Sequence, residues 1–483
     1  MMKTLANIAP LVVVLLLGLG APPAIAGDAE LLLSEGKVAE ALEAARDEAT
    51  ASPGDLDAQE LYIDLLLAFG LGPRAERRYR ARVREQPEDP DSWYLVGRSA
   101  VGADDAREAY EAALRFDPEH ARSHMGMAAV HLAAGRVERA SAAYAIALQG
   151  DASLSEAWLG LVRSLAAEGH VAEALEAAKH AQTRIPEEPG IYLALATLAP
   201  EQARTVLLQG TERAPGDARL HARLAEELLA AGDGASALRS STTALQRDER
   251  LSDALRAKIF AEEMVKDRID GSGYQSVREL VAVEPAAALP RWDALVEAYP
   301  RSSLVRAGRA RVYEVTGNVA AAGADLEVAQ RLGTNTEVQA ALGLLRLREG
   351  HAAEAAPLLA LAWESRSWDV SLGLALAEAL FQSEQVPGAM KLLEGLAATQ
   401  PFDLRIGRRY AQALLDADEP EKAYSFIRQR LGRVPDPQLG VALIAAALAT
   451  GRTVEAASIV EDIAEQTNNP RLREAATRLR SGG

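Results

Sequence analysis

An alanine that returns about every 34 residues constrains this chain more than any other feature. It stands at Ala41, Ala75, Ala106, Ala140, Ala174, Ala203 and Ala237, and after a gap at Ala322, Ala355, Ala389, Ala423 and Ala456. Apolar residues recur at helical spacing on either side of a glycine turn. In Ser155–Pro186, Trp158, Leu161, Val162 and Leu165 line one helix and Gly169 makes the turn. Val171, Ala174, Leu175, Ala178 and Ala181 then line a second helix, which Pro186 closes. Such a hairpin cannot bury its apolar face alone, so it needs a copy on either side. Gly36, Gly70, Gly135, Gly169, Gly232, Gly317, Gly350 and Gly451 mark the turns, and Pro53, Pro87, Pro118, Pro186, Pro215, Pro401 and Pro435 mark the repeat ends. Two steps are short, near Gly102 and Pro200, and both predict a shortened inter-helix turn.

Trp and Leu in the first helix, Gly at the turn, Ala in the second helix and a closing Pro together resemble a tetratricopeptide repeat. The resemblance spans nearly the whole chain after its N-terminus. It implies an all-α fold, a right-handed α-solenoid of tandem helical hairpins, with about twelve recognisable repeats and one degenerate one. The expected layout is a leader over 1–26, an N-terminal array over 27–250, a degenerate repeat or hinge over 251–300, a C-terminal array over 301–469, and a capping helix with tail over 470–483. Within 251–300, Gly271-Ser272-Gly273 reads as a helix break.

The N-terminus points to export. Lys3 precedes a compact apolar run, Leu11–Leu19, and Ala24-Ile25-Ala26 precedes Gly27, the layout of a secretory signal peptide cleaved between Ala26 and Gly27. The alternative, a retained anchor, meets a run shorter than the roughly 20 residues that span a bilayer, with Pro22-Pro23 at its end. The expected location is periplasmic or secreted. There is no cysteine, which excludes disulfides, thiol nucleophiles and thiolate metal sites. A net charge of −17, with no lysine-rich or arginine-rich block set against it, argues against nucleic acid as a partner.

Signs of catalysis are few. His120, His124 and His131 fall near one face of a helix, where a metal could bind, but His124 and His131 occupy positions that hold packing aromatics in the repeat. No nucleophile elbow, phosphate loop or zinc-protease helix appears. The expectation is a non-enzyme without metal or cofactor.

What the resemblance implies is a groove lined by the first helix of each hairpin. Its matching positions are Asp57, Glu60 and Asp64, then Tyr94 and Arg98, Arg122 and Met125, Leu159 and Arg163, Leu193, and Arg219 and Glu226. Arg405, Arg408 and Gln412 match near the other end. Arginine offers a planar fork to carboxylate, and Tyr94, Met125 and Leu159 offer apolar surface. The plainer alternative is that Met125 and Leu159 pack internally and the arginines pair with neighbouring acids. The Lys/Asn/Arg clamp of chaperone-binding members is absent. The expected role is a scaffold or adaptor of the bacterial cell envelope, holding a protein or peptide in its groove, within an assembly, secretion or polysaccharide-export complex and near a membrane only through that partner. The alternative is direct binding of glycan or peptidoglycan, or modulation of an enzyme.

Overall fold

The computed structural model describes residues 37–481 apart from 282, 334 and 433, together with Ala29 and Leu32. The leader, Gly36 and the last two glycines lie outside the described residues. Every regular element among the described residues is a helix. The chain forms two compact units that divide at residues 282 and 283.

The first unit opens with Val38–Ala51 and continues in pairs. These are Leu56–Ala68 with Gly72–Glu85, Pro90–Ser99 with Ala103–Phe116, Ala121–Ala133 with Val137–Gly150, Ser155–Ala167 with Val171–Arg184, Pro189–Leu198 with Ala203–Arg213, and Ala218–Ala230 with Gly234–Arg247. Ser252–Val265 and Gly271–Val281 close it. The second unit begins with Pro285–Ala298 and stacks Ser303–Val315 with Val319–Leu332, Thr336–Arg348 with Ala352–Ser365, Val370–Gln382 with Val386–Thr399, Leu404–Asp416 with Pro420–Leu431, and Pro437–Thr450 with Thr453–Gln466. Pro470–Ser481 covers its end through the buried Leu472, Ala476 and Leu479. Each unit is an α-solenoid of helical hairpins.

All twelve register alanines are buried, between 0 and 8% exposed. They sit where the two helices of a hairpin come closest, and a larger side chain there would force the backbones apart. The expected turn glycines from Gly70 to Gly451 all adopt left-handed φ, from 70° to 84°. Where a turn lacks glycine, Asp267, Glu384, Asp418 and Asn468 adopt the same left-handed conformation. The turn geometry is therefore set by the hairpin, and glycine only makes it cheap.

Successive hairpins interlock through aromatic rings seated on glycines. A Cβ on Gly160 would lie 2.3 Å from the Tyr144 ring of the preceding helix, and one on Gly308 would lie 2.2 Å from Trp292. Tyr110 sits in the same way against both Gly97 and Gly126. A second recurring device seals the loops between hairpins of the first unit. Trp93, Trp158 and Tyr192 each donate to the backbone carbonyl six residues earlier, at 2.8, 2.9 and 2.7 Å. His124 and His221 do the same to Pro118 and Pro215 through Nε2, which fixes that nitrogen as the protonated one because a carbonyl only accepts. The position therefore asks for a flat ring with an N–H or O–H at its tip, and histidine meets that need.

Two expectations are corrected. The short repeats do not shorten the turn but lose a helical turn instead: Pro90–Ser99 and Pro189–Leu198 have 10 residues, where neighbouring first helices have 13, and the second is joined to its partner helix through the 3-10 turn Pro200–Gln202. Gly271-Ser272-Gly273 does not break a helix but opens one. Asp270 accepts from the Gly273 amide at 2.8 Å, and Gly271 lies against the Gly232 backbone, where no side chain would fit.

These packing rules predict opposite signs for one substitution at two helical glycines. Gly160→Ala should lower the melting temperature, at a cost of about 1–3 kcal/mol from overpacking against Tyr144. Gly395→Ala, in a helix and with open space around it, should raise stability by up to about 1 kcal/mol. Thermal unfolding of the two variants beside the parent reads both.

Candidate functional site

The first helices of four consecutive hairpins bring six of the expected groove positions, Asp57, Glu60, Asp64, Tyr94, Arg98 and Arg122, into one charged lattice, together with Glu156, which the sequence reading missed. Arg98 pairs with Asp64 of the preceding hairpin at 2.8 Å and with Glu156, two hairpins on, also at 2.8 Å. Arg122 pairs with Asp57 at 2.6 Å and with Glu60, both two hairpins back. The Tyr94 hydroxyl donates to Glu60 at 2.8 Å. Ion pairs that pass over an intervening hairpin require the first-helix faces to converge, so this is the concave face of the first unit. Beside the lattice, Asp91 meets His120 at 2.9 Å.

Four carboxylates here share two guanidiniums. Burial pushes Glu60 and Asp64 above the usual carboxylate range, against the pull of Arg98 on both and of Arg122 on Glu60. Burial also works to raise Glu156, but the charge and hydrogen bonds of Arg98 outweigh it and hold the group low. For the arginines the balance is one-sided: burial disfavours their charge, and the carboxylates around Arg98 and Arg122 more than restore it.

Several expected partner-binding residues are thereby reassigned. Tyr94 is 0% exposed and Met125 4%, so neither presents apolar surface to a partner. Tyr94 is buried between Tyr110 and His120, and Met125 belongs to the core around Tyr144. Leu159 is half-buried over Gly190 of the next hairpin. Arg163 is exposed and forms no ion pair among the described residues. Arg219, Arg405 and Arg408 share a different local plan: each stands on an aspartate that also caps a helix. Asp217 caps Leu220 and holds Arg219 at 2.6 Å; Asp403 caps Ile406 and holds Arg405 at 2.7 Å; Asp436 caps Leu439 and holds Arg408.

The three histidines separate. His120 caps its helix through Ser123 and faces Asp91, His124 seals a loop carbonyl, and burial lowers His131. No group of three or more potential ligands comes together among the described residues. His170 and His351, which each follow a turn glycine, are exposed.

One basic block escaped the reading of charge along the chain. Helix Gly72–Glu85 carries arginines at 74, 77, 78, 80, 82 and 84 against two glutamates. Arg78 stacks over Tyr62, Arg80 pairs with Glu76, and Arg82 reaches the Pro53 carbonyl. Arg74, Arg77 and Arg84 are exposed, with no ion pair among the described residues. The whole-chain acidity masks this stretch.

Family models described as tetratricopeptide repeat match residues 103–165 and 346–408, and, with a second such model, 280–335. Among solved structures, Naa15/Naa10 bound to HypK-THB is similar at 12% identity and a TM-score of 0.32, over 94% of this chain and 95% of that one. A tetratricopeptide repeat protein from Parabacteroides merdae is similar at 15% and 0.29, over 54% of this chain and 99% of its own. Pseudomonas aeruginosa pilF is similar at 18% and 0.35, over 42% and 96%. No curated protein matches the chain.

The raised carboxylates give the lattice a pH signature. A carboxyl whose pKa is raised on folding holds its proton more tightly in the folded state, so stability falls as pH rises above its ordinary value, 4.5 for Glu60. Glu60→Gln removes that loss while keeping an acceptor for Tyr94. Its melting-temperature deficit relative to the parent should therefore shrink between pH 4 and pH 7, as read by circular dichroism across that range. A deficit that grows over the same interval contradicts the assignment.

Proposed function

This chain is a member of the tetratricopeptide-repeat family, and we propose that it is a non-enzymatic scaffold of the bacterial cell envelope that holds a protein partner on its first-helix faces. Such repeats are protein-interaction modules, and an array of identical packing units presents a long surface whose outward residues vary freely. The observation that carries the reading is the concave face of the first unit. It is rigidified by ion pairs across four hairpins, and at its edge it presents the uncommitted Arg163. A preorganised face of this kind binds with less ordering cost than a mobile one.

Export rests on the leader-like N-terminus, with cleavage between Ala26 and Gly27. No described helix is long and apolar enough to cross a membrane. Participation in an assembly, secretion or polysaccharide-export complex is then the setting, with any membrane association made through the partner. Glycan binding has less support, because it needs an exposed aromatic platform. Tyr94 is buried, and Trp93 and Trp158 spend their ring N–H groups on loop carbonyls.

Photocrosslinking in cells from position 163, with position 173 as control, tests the reading. Arg163 lies on the first-helix face and Glu173 is exposed on a second helix. The expected result is one discrete protein captured from 163 and absent from 173. The same background from both positions rejects the first unit's face as the docking site.

A further inference from the structure

Helix Pro437–Thr450 of the second unit is apolar on every side, PQLGVALIAAALAT, yet only half of it is covered. Leu439, Gly440, Leu443, Ala446 and Ala447 face the core. Val441 and Leu448 are 59% and 62% exposed, and Ala445 between them is exposed as well. These three lie at i, i+4 and i+7, a continuous stripe about 10 Å long. A helix that is hydrophobic all round belongs inside a structure, so the open stripe marks a surface that something covers. In the repeat register, Val441 and Ala445 follow Arg408 and Gln412, which places the stripe among the groove positions.

The charges around the stripe choose the occupant. Arg405 and Arg408 stand on one flank with side chains 57% and 39% exposed, while the side chains of their counter-ions Asp403 and Asp436 lie beneath at 20% and 2%. On the other flank, Arg471 is exposed with no ion pair among the described residues, and Glu474 is matched by Arg478. An approaching partner therefore meets arginines seated on shielded carboxylates on one side of the apolar strip and the exposed Arg471 on the other.

We infer that the Val441–Ala445–Leu448 stripe, bracketed by Arg405, Arg408 and Arg471, docks an acidic amphipathic segment of a partner protein, its apolar residues on the stripe and its carboxylates on the arginines. The inference rests on the scaffold reading but concerns the second unit. It can fail while crosslinking at Arg163 succeeds, and the reverse holds too.

Fluorescence anisotropy with three short labelled peptides tests it: leucines at helical spacing flanked by glutamates, the same leucines flanked by lysines, and the glutamate peptide with alanines for leucines. The glutamate–leucine peptide should bind at least about tenfold more tightly than either of the others. Leu448→Glu should abolish binding, and Arg405→Glu combined with Arg471→Glu should weaken it. All three positions are exposed, so an unchanged melting temperature confirms that each variant folds. Equal binding of the glutamate and lysine peptides, no binding by any of them, or full binding by Leu448→Glu overturns the assignment. Sedimentation showing a parent dimer that Leu448→Glu disperses also overturns it, in favour of a second copy as the occupant.

Discussion

Several junctions in this molecule depend on an aromatic ring finding a glycine on a neighbouring hairpin. Tyr144 over Gly160, Tyr110 over Gly126 and Trp292 over Gly308 let one helix approach the next at backbone distance, which no other residue in the glycine's place would allow. The buried alanines do the same work inside each hairpin. Together they fit a chain that is 49% hydrophobic but only 5% aromatic: a few rings suffice when alanine, leucine and other aliphatic residues make most of the remaining buried contacts. Because each contact is between neighbours, the interlock leaves the outer residues of the first helices free to differ from repeat to repeat.

That freedom is used differently in the two units. In the first, the outward residues of four hairpins are spent on one another, and carboxylates in excess of arginines are held in a partly buried lattice. Such a lattice costs desolvation, visible in the raised Glu60 and Asp64, and ties four hairpins to one another. In the second, Arg405 and Arg408 rest on helix-capping aspartates, so their charge is anchored from below and their donors remain outward. One residue type at equivalent register positions thus acts as an internal strut at Arg122 and as a donor seated on a helix-capping aspartate at Arg219 and Arg405.

The interchange of Trp, Tyr and His at the loop-sealing position shows how a repeat tolerates substitution. Family resemblance describes this position by tryptophan, but the structure shows that the requirement is a ring with a donor at its tip. His124 and His221 are therefore packing residues with a defined hydrogen bond, and a cluster of histidines that reads as a metal site along one helix separates into unrelated tasks. In the second unit the corresponding positions include Gly373, Gly407 and Gly440, which carry no ring.

The periodic alanines, turn glycines and closing prolines determined the hairpins, their register and the fold class, because those features act through backbone geometry that each repeat decides locally. The shortened first helices at Pro90–Ser99 and Pro189–Leu198 were legible only as missing residues; whether helix or turn gives way depends on packing against the neighbours. Groove residues were legible as positions but not as roles. Whether Arg98 is an outward fork or a strut depends on Glu156, 58 residues away, and that pairing exists only once two hairpins have curved toward each other. The open stripe on Pro437–Thr450 was hidden for the converse reason. An all-apolar helix looks buried in sequence, and only tertiary packing decides which of its faces the chain itself leaves uncovered.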